Sequence, residues 1–576
     1  MGEADEKVLS LCEEFWQWRL ADDPEIASFI GFSEFADRWQ DISEKAYLER
    51  EERIKEFYTK AVAIDSSHCS PDIALSHRLF VDDLSSYLKG SAFKGYLMPI
   101  NNIDGIQSEA SIFISSVNYD SVEDYKKYIC RLKSLPFRIQ QVEETLKRGV
   151  AQGIVLYPTS LNQVLGQLDT QGNKPVEELN LLKPCLKEPP TIPVADLKQF
   201  KEEARSLLLN GVQSAYRSLK KYLEEEYIPQ CRASPGVSSL PNGQRWYQQC
   251  LDYHLSYATS PQEVHDLGLQ EVARIQKQIV DVAKREGLTT DISKLKREII
   301  ERQTLFKTKD EALDFVKDIC YNRIRPQLPK YFKNIPDIPL KIILVPDYIK
   351  GVPLGFYHGG TPDGSREGAY NLNTEDLSKC LPFLLPCLSL HEGEPGHHTQ
   401  FAHAMTAHHL PNFRRYTEES KYYLAPGKYA KHTAYLEGWG LYVEALGEEM
   451  GMYLDNYELL GRYGSEVFRA ARMVVDTGLH AFGWSRTQAI QYMLNNTMLE
   501  ESGAAREIDR YITWPAQSCA YKYGELKIWE MRRRAEKELG MDFDIREFHY
   551  RLLSCGAVPL TELEEIVNQF IAETKM

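Results

Sequence analysis

The stretch His391-Glu392-Gly393-Glu394-Pro395-Gly396-His397-His398 gathers groups that can hold a metal ion and move a proton, and six of the chain's 14 histidines fall between His391 and His409. In an ordinary zinc-binding helix two histidines stand four residues apart, so that both imidazoles share a face. The glutamate beside the first can then polarise a water on the ion. Here the spacing from His391 to His397 is six. On a regular helix that is about 240° around and about 9 Å along the axis, too far apart for one ion. Pro395 has no N–H and would clash with the carbonyl of residue 391, while Gly396 tolerates unusual dihedrals, so the helix must bulge or break between the two histidines. Two residues absorbed in this way return His397 to the place of a second ligand, with His398 as the alternative. His403, His408 and His409 read as solvated or hydrogen-bonded side chains.

The elements that must position these groups read as helices. Ser260, Thr308, Ser485 and Thr561 each have Glu or Gln three residues on and precede apolar residues at helical spacing, the pattern of a capping box. From Asp196 to Tyr227 apolar residues recur every three or four positions, which predicts one long amphipathic helix. Residues 171–194 and 234–244 are rich in Pro, Gly, Ser or Asn and read as exposed loops. Strand signal is confined to Leu340–Val345 and Ala369–Asn373, separated by a turn-rich stretch that ends in GGTPDGSREG. A small antiparallel sheet just before the metal segment is therefore expected. With 576 residues the chain exceeds what one core usually organises, so we expect a mostly α, two-lobed body: a helical N-terminal lobe over 1–330 and a catalytic lobe over 331–576.

Composition narrows the classes of partner. A formal net charge of -15 and the lack of any long Lys/Arg run argue against nucleic acid. The longest uncharged apolar run, Leu381 to Leu390, carries two prolines and falls short of the ~20 residues of a membrane span. The first residues show no basic-then-apolar leader, which leads to the expectation of a soluble, cytoplasmic protein without membrane contact. The 11 cysteines are scattered with no CxxC pair and read as reduced thiols.

Several motifs, taken together, carry a resemblance. Leu390-HEGEPGHHTQ resembles the HExxPGHH-x-Q signature of the domain-of-unknown-function 885 family, which is similar to helical zinc peptidases typified by thimet oligopeptidase and angiotensin-converting enzyme. Glu437-Gly438-Trp439-Gly440-Leu441-Tyr442-Val443-Glu444 resembles the family's EGWALY-x-E, with Gly440 where Ala is usual. Arg472 to His480, followed by Gly483-Trp484, is similar to R-x-V-x-D-x-G-x-H-x-x-G-W. Arg510-Tyr511, Pro515-Ala516-Gln517 and Tyr521-Lys522-Tyr523-Gly524 resemble RY-x-x-x-PGQ-x-x-x-YK-x-G, with Ala516 replacing Gly. Asp22-Asp23-Pro24 and Phe29-Ile30-Gly31 extend the match to the start, so it spans essentially the whole chain.

The resemblance implies a metallopeptidase-like fold and a catalytic zinc. Such a site wants three protein ligands and an open position, so Glu437 becomes the candidate third ligand beside His391 and His397. Glu444 is a candidate acceptor for a ligand imidazole. Glu392 is then the general base. His480 and Tyr521 are candidate donors to the developing oxyanion, with Arg472 and Tyr511 behind them on the substrate. Arg472, Asp476 and His480 recur at i, i+4 and i+8 and share a helical face. A substrate strand would lie along the edge presented by Gly368–Asn373, where Arg366, Tyr370 and Asn371 could hold it. The expected function is zinc-dependent hydrolysis of amide bonds in short peptides. The alternatives are zinc hydrolysis of a small non-peptide amide or ester, and a non-catalytic metal- or peptide-binding scaffold. Manganese or cobalt could occupy the same ligands.

Overall fold

The computed structural model describes residues 2–187, 189–346, 352–360, 366–416 and 421–576. Residues 361–365 of the turn-rich stretch lie outside them. Among the described residues the fold is mostly helical, with one small sheet. Seven helices bear on the site: α1 (Pro261–Arg285), α2 (Leu385–Glu392), α3 (His397–Thr406), α4 (Thr433–Glu449), α5 (Asn456–His480), α6 (Glu501–Thr513) and α7 (Ala520–Leu539). No described helix is long and apolar enough to cross a membrane, and none of the eleven cysteines is bonded to another.

Helix boundaries follow local chemistry. Ser260 and Ser485 form reciprocal capping boxes with Glu263 and Gln488, each satisfying two amide N–H groups at a helix start. Thr308 caps the Glu311 N–H, but the Glu311 carboxylate turns to the Lys307 N–H instead. Thr561 caps nothing, because the last helix begins at Leu560, directly after Pro559. The long helix begins at Val194 and reaches Tyr227 through two π turns, Leu208–Val212 and Leu223–Tyr227. Its buried residues Ala204, Leu208, Val212, Tyr216, Leu219, Leu223 and Tyr227 come almost every fourth position. A regular helix would let that stripe drift around its axis, and the wider π turns keep it on one face.

The expected loops are not simply exposed. Leu181, Leu182 and Cys185 are buried within 171–194, and Pro235, Gly236 and Val237 within 234–244. At Gly236 a Cβ would lie 2.2 Å from the Leu479 carbonyl oxygen, so this glycine serves close packing on the end of α5 rather than a solvent turn.

The sheet differs from expectation in order and direction. Strands β1 (Lys341–Leu344), β2 (Gly355–His358) and β3 (Ala369–Leu372) stand in the order β1-β3-β2, with β3 parallel to β1 and antiparallel to β2. The sheet is mixed, not antiparallel. Strand β2 has no counterpart among the expected strands. By taking the second side of β3 it makes β3 the central strand, so the Gly368–Asn373 region offers no free edge to a substrate.

Two apolar clusters hold the body together. The larger draws side chains from Val8 to Ile571, on both sides of residue 330; the second gathers α1, α5 and α6 around Ile275, Val475, Leu479 and Ile508. Helices α4 and α7 cross with backbones in contact, since a Cβ on Gly438 would lie 2.6 Å from Gly524 Cα and one on Gly524 would lie 1.9 Å from the Ala434 carbonyl oxygen. The buried Lys522 ammonium ties α7 to α5 and α1 through Glu466 at 2.6 Å and Glu271 at 3.1 Å, and also meets Glu525. A charge so enclosed tolerates burial only because carboxylates surround it.

The crossing predicts a sharp response. Gly524→Ala forces α4 and α7 apart and is expected to cost about 3 kcal/mol or more of unfolding free energy, at the upper end of overpacking effects. Gly503→Ala, on a half-buried helix position where only the Leu499 side chain lies within 4 Å, at 3.8 Å, is expected to change stability little. Urea unfolding of both variants measures this, and equal midpoints would contradict the close crossing.

Candidate metal centre

Helix α2 ends at Glu392 and α3 begins at His397, with Gly393–Gly396 irregular between them. The helix therefore breaks where Pro395 and Gly396 require. A Cβ on Gly396 would lie 2.0 Å from the His391 carbonyl oxygen and 2.3 Å from that of Leu390, so only glycine lets the chain fold back over the end of α2. Two contacts pin the turn. The Trp439 Nε1–H of α4 donates to the Pro395 carbonyl at 2.9 Å, and Arg325 grips the Glu394 carboxylate with Nε at 2.9 Å and Nη2 at 3.1 Å. The rings of His391 and His397 come to lie 4.8 Å apart and perpendicular.

Three ligand atoms converge as a result. His391, His397 and Glu437 each offer one donor, all within 4.8 Å of one another. Both Nε2 atoms lie 3.5 Å from Glu437 Oε2. Ligand atoms about 2.1 Å from a tetrahedral ion stand about 3.4 Å from one another, so the spacing fits a small divalent cation. The tautomers suit it as well. Nδ1 of His391 lies 2.7 Å from Glu444 Oε1, and Nδ1 of His397 lies 3.0 Å from Gln400 Oε1. With those protons on Nδ1, each Nε2 presents a lone pair to the common point. Glu444 is in turn fixed by Ser465 Oγ at 2.8 Å and Cys387 Sγ at 3.0 Å. His398 is not an alternative ligand, because its Nδ1 meets Tyr357 Oη at 3.1 Å and its Nε2 meets the Ile338 carbonyl at 2.9 Å.

Gly440 has a specific role here. A Cβ at this position would lie 2.5 Å from His391 Cε1 and 2.7 Å from its Nε2, so the imidazole rests directly on the bare backbone of α4. The alanine usual in the resembling motif would push this ring aside.

The centre also asks for positive charge. Burial disfavours a charged imidazole at His391, yet Glu437, Glu444 and Glu392 together push its pKa up to about 10. The Glu437 carboxyl, against the cost of burial, is held well below the usual range by the two imidazoles. Glu392 is buried and makes no hydrogen bond among the described residues, so its carboxylate is uncommitted beside His391.

Other expected site residues divide. Tyr521 is buried at the start of α7, with Arg472 over its ring at 4.8 Å and Arg510 Nη2 3.4 Å from its hydroxyl. Arg472 donates from Nε to Tyr511 Oη at 2.8 Å and from Nη2 to Glu507 at 3.0 Å, and the Tyr511 hydroxyl donates a hydrogen bond to Glu507 at 2.7 Å. Tyr511 is thus committed inside this cluster rather than open to a substrate. His480 is reassigned. Its Nδ1 accepts the Val237 N–H at 3.0 Å and its Nε2 donates to the Tyr511 carbonyl at 2.9 Å, so no ring nitrogen remains for an oxyanion. Asp476, on the same face, accepts from Tyr247 Oη, the Ala516 N–H and Ser518 Oγ at 2.8, 3.0 and 2.8 Å, and pairs with no arginine. Tyr370 is fully buried on the central strand with its hydroxyl unpartnered among the described residues, and Asn371 donates to the carbonyls of Ala369 and Phe356 at 3.0 and 3.4 Å. Arg366 donates to the Phe29 carbonyl at 3.0 Å and lies over that ring.

Sequence reasoning missed Gln400, Trp439, Arg469, Glu507 and Arg510. Gln400 and Trp439 stand inside the motifs already quoted, and their spacing of three from His397 and two from Glu437 was the available signal. Arg469 and Glu507 carried none, because their roles arise from the meeting of α5 with α6.

Comparison with known proteins agrees with the motifs. The family described as "Bacterial protein of unknown function (DUF885)" matches residues 24–567. The chain belongs to this family. A solved structure from Colwellia psychrerythraea, described as a putative lipoprotein, is 25% identical and superposes with a TM-score of 0.92, covering 99% of each chain. A second, from Shewanella oneidensis and described as a putative lipoprotein of unknown function, is 18% identical with a TM-score of 0.72, covering 99% of this chain and 100% of that one; it supports the fold alone. No curated protein matches the chain significantly. The expectation of a cytoplasmic protein is corrected, since both neighbours are described as lipoproteins.

His480 gives a pH test of its structural role. Burial lowers its pKa from 6.5 to about 3, so below pH 6.5 the unfolded chain takes up a proton that the folded chain refuses. Stability held through this residue is full above pH 6.5 and falls by about 1.4 kcal/mol per pH unit as pH drops towards 3. At pH 7.5 His480→Asn is expected to cost about 2–4 kcal/mol, because the buried Val237 N–H and Tyr511 carbonyl lose partners. Urea titrations of both proteins should show that gap narrowing from pH 6 to pH 4, and a constant gap would contradict a buried neutral ring.

Proposed function

We propose that this chain is a zinc-dependent hydrolase of amide bonds in short peptides, with the two-lobed helical body of the zinc peptidases it resembles. One observation carries the reading. Two imidazoles and a carboxylate, each imidazole oriented by a separate acceptor, converge on one point beside an uncommitted glutamate. Zinc bound to His391, His397 and Glu437 would supply a Lewis acid that acidifies water and polarises a carbonyl.

The chain's own groups supply the rest. Glu392 accepts a proton from the attacking water and returns it to the leaving nitrogen. Tyr521 donates its hydroxyl hydrogen to the developing oxyanion, with Arg472 over its ring favouring negative charge nearby. Glu444 and Gln400 keep the ligand rings in register during the reaction. A largely helical body around a buried site favours short, flexible substrates over folded proteins. The net charge of -15 makes nucleic acid an unsuitable partner.

Zinc content and turnover test this directly. Metal analysis is expected to find one zinc per chain, and a mixed peptide library should be cleaved by the wild type. Glu392→Gln is expected to retain the zinc and lose at least about 100-fold in rate, the scale of a missing general base. Stoichiometric zinc with no cleavage of any peptide would falsify the peptidase reading, and absence of zinc would remove the hydrolase reading altogether. Glu444→Ala leaves the three ligands intact but releases His391. Competition with a chromogenic chelator should then show zinc affinity weakened by about 10- to 100-fold.

A further inference from the structure

The cluster at the meeting of α5, α6 and α7 has more positive charge than its own carboxylates neutralise. Arg469, Arg472 and Arg510 face Glu507 and Glu444. Glu444 is already engaged by the Nδ1 of His391. Arg510, like Arg469, keeps a buried Nε without a partner and has no carboxylate nearer than 3.8 Å. The carboxylate at that distance is on Glu507, and the Arg510 Nη2 meets only the Gln517 amide oxygen at 3.0 Å and Tyr521 Oη at 3.4 Å. Arg472 spends Nε and Nη2 on Tyr511 and Glu507 and makes no hydrogen bond through Nη1 among the described residues. The two guanidinium groups meet at Tyr521, one above its ring and one at its hydroxyl.

A largely buried guanidinium whose only carboxylate is distant and shared with a second arginine is costly unless a further anion completes it. Arginine's planar fork matches a carboxylate in particular, two N–H donors to two oxygens. Arg510 also lies over the Trp514 ring at 5.4 Å, a cation–π contact that fixes the plane of the guanidinium. The cluster connects to the candidate centre through Arg469 and Glu444 to His391.

We propose that Arg510, with Arg472, forms a carboxylate subsite, and that the substrates are peptides carrying a carboxylate near the scissile bond, either the free C-terminus or an acidic side chain. This rests on the hydrolase reading above for its position beside the reacting centre, but the subsite itself can be read without turnover. Arg510 is here a substrate-binding residue, and Glu507 holds both guanidinium groups in place from the other side.

The test is equilibrium binding of three probes by titration calorimetry, on chelator-treated protein and again with zinc: acetyl-trialanine with a free carboxyl end, the same peptide amidated, and amidated acetyl-Ala-Glu-Ala. At least one carboxylate-bearing probe is expected to bind about 30-fold or more tightly than the amidated trialanine, the scale of one buried charge-assisted pair. The free acid winning assigns the C-terminus, and the glutamate probe winning assigns a side chain. Arg510→Met should erase the preference and Arg510→Lys should restore part of it, with thermal unfolding checked for both. Equal binding of all three probes by the wild type, or binding of none at 10 mM on the order of weak-subsite affinity, overturns the proposal. Lack of zinc with the preference intact would count against the hydrolase reading and not against the subsite.

Discussion

The facing of the two candidate histidine ligands depends on the backbone folding over itself at residue 396. The His391 carbonyl occupies the space where any side chain on Gly396 would begin, and that contact turns a six-residue interval into a pair of facing imidazoles. The turn does not hold itself. Trp439 reaches it from α4 and Arg325 holds Glu394 from the segment before the sheet, so three parts of the chain distant in sequence fix one loop. Because Glu437 stands two residues before Trp439, the bond that steadies the turn also sets the helix that brings the third ligand. A single tryptophan N–H thereby couples the two halves of the centre.

Charge is laid out in opposite senses on the two sides of His391. Around the ligands carboxylates prevail: Glu392, Glu437 and Glu444 favour a cation there and raise the proton affinity of the ring. Across Glu444, towards α6 and α7, arginines prevail, and Glu507 is held below the usual carboxylate range, against burial, by Arg472 and Arg510. Such a gradient inside an acidic protein would favour one orientation of a dipolar ligand. The Lys522 cluster shows the contrasting case, in which a buried cation is matched fully by Glu271, Glu466 and Glu525 and serves only to fasten helices.

Much of this was legible in the residues themselves. Helical period and serine caps foretold the mostly helical body, since both are local. The Pro395–Gly396 pair announced a broken helix, and Glu437 came from the resemblance of Glu437–Glu444 to the family's motif, which supplied the third donor such a site needs. What escaped was set by contacts between distant segments. Periodicity placed Arg472, Asp476 and His480 on one face of α5 but could not say what would meet that face. The structure puts the 234–240 segment and Tyr511 against His480, and the 516–518 turn against Asp476. The order of three four-residue strands is likewise a long-range matter, and Gly355–His358 carries too little alternation to be recognised alone. The alanine at 516 adopts φ of 68°, a left-handed conformation for which the resembling motif has glycine, so a local rule is broken where the backbone N–H must reach Asp476.

Helix α4 touches its surroundings through two glycines that look in different directions. Gly438 lies on the backbone of Gly524 in α7, and Gly440 carries the ring of His391. With no side chain at either point there is nothing to yield when one neighbour moves, and a shift of α7 is passed to the imidazole almost undamped. Helix α4 therefore works as a rigid gauge block between its crossing with α7 and the imidazole of His391. Sequence drift on the far side of α7 is then felt as a change in where the His391 ring stands rather than as a change in stability alone.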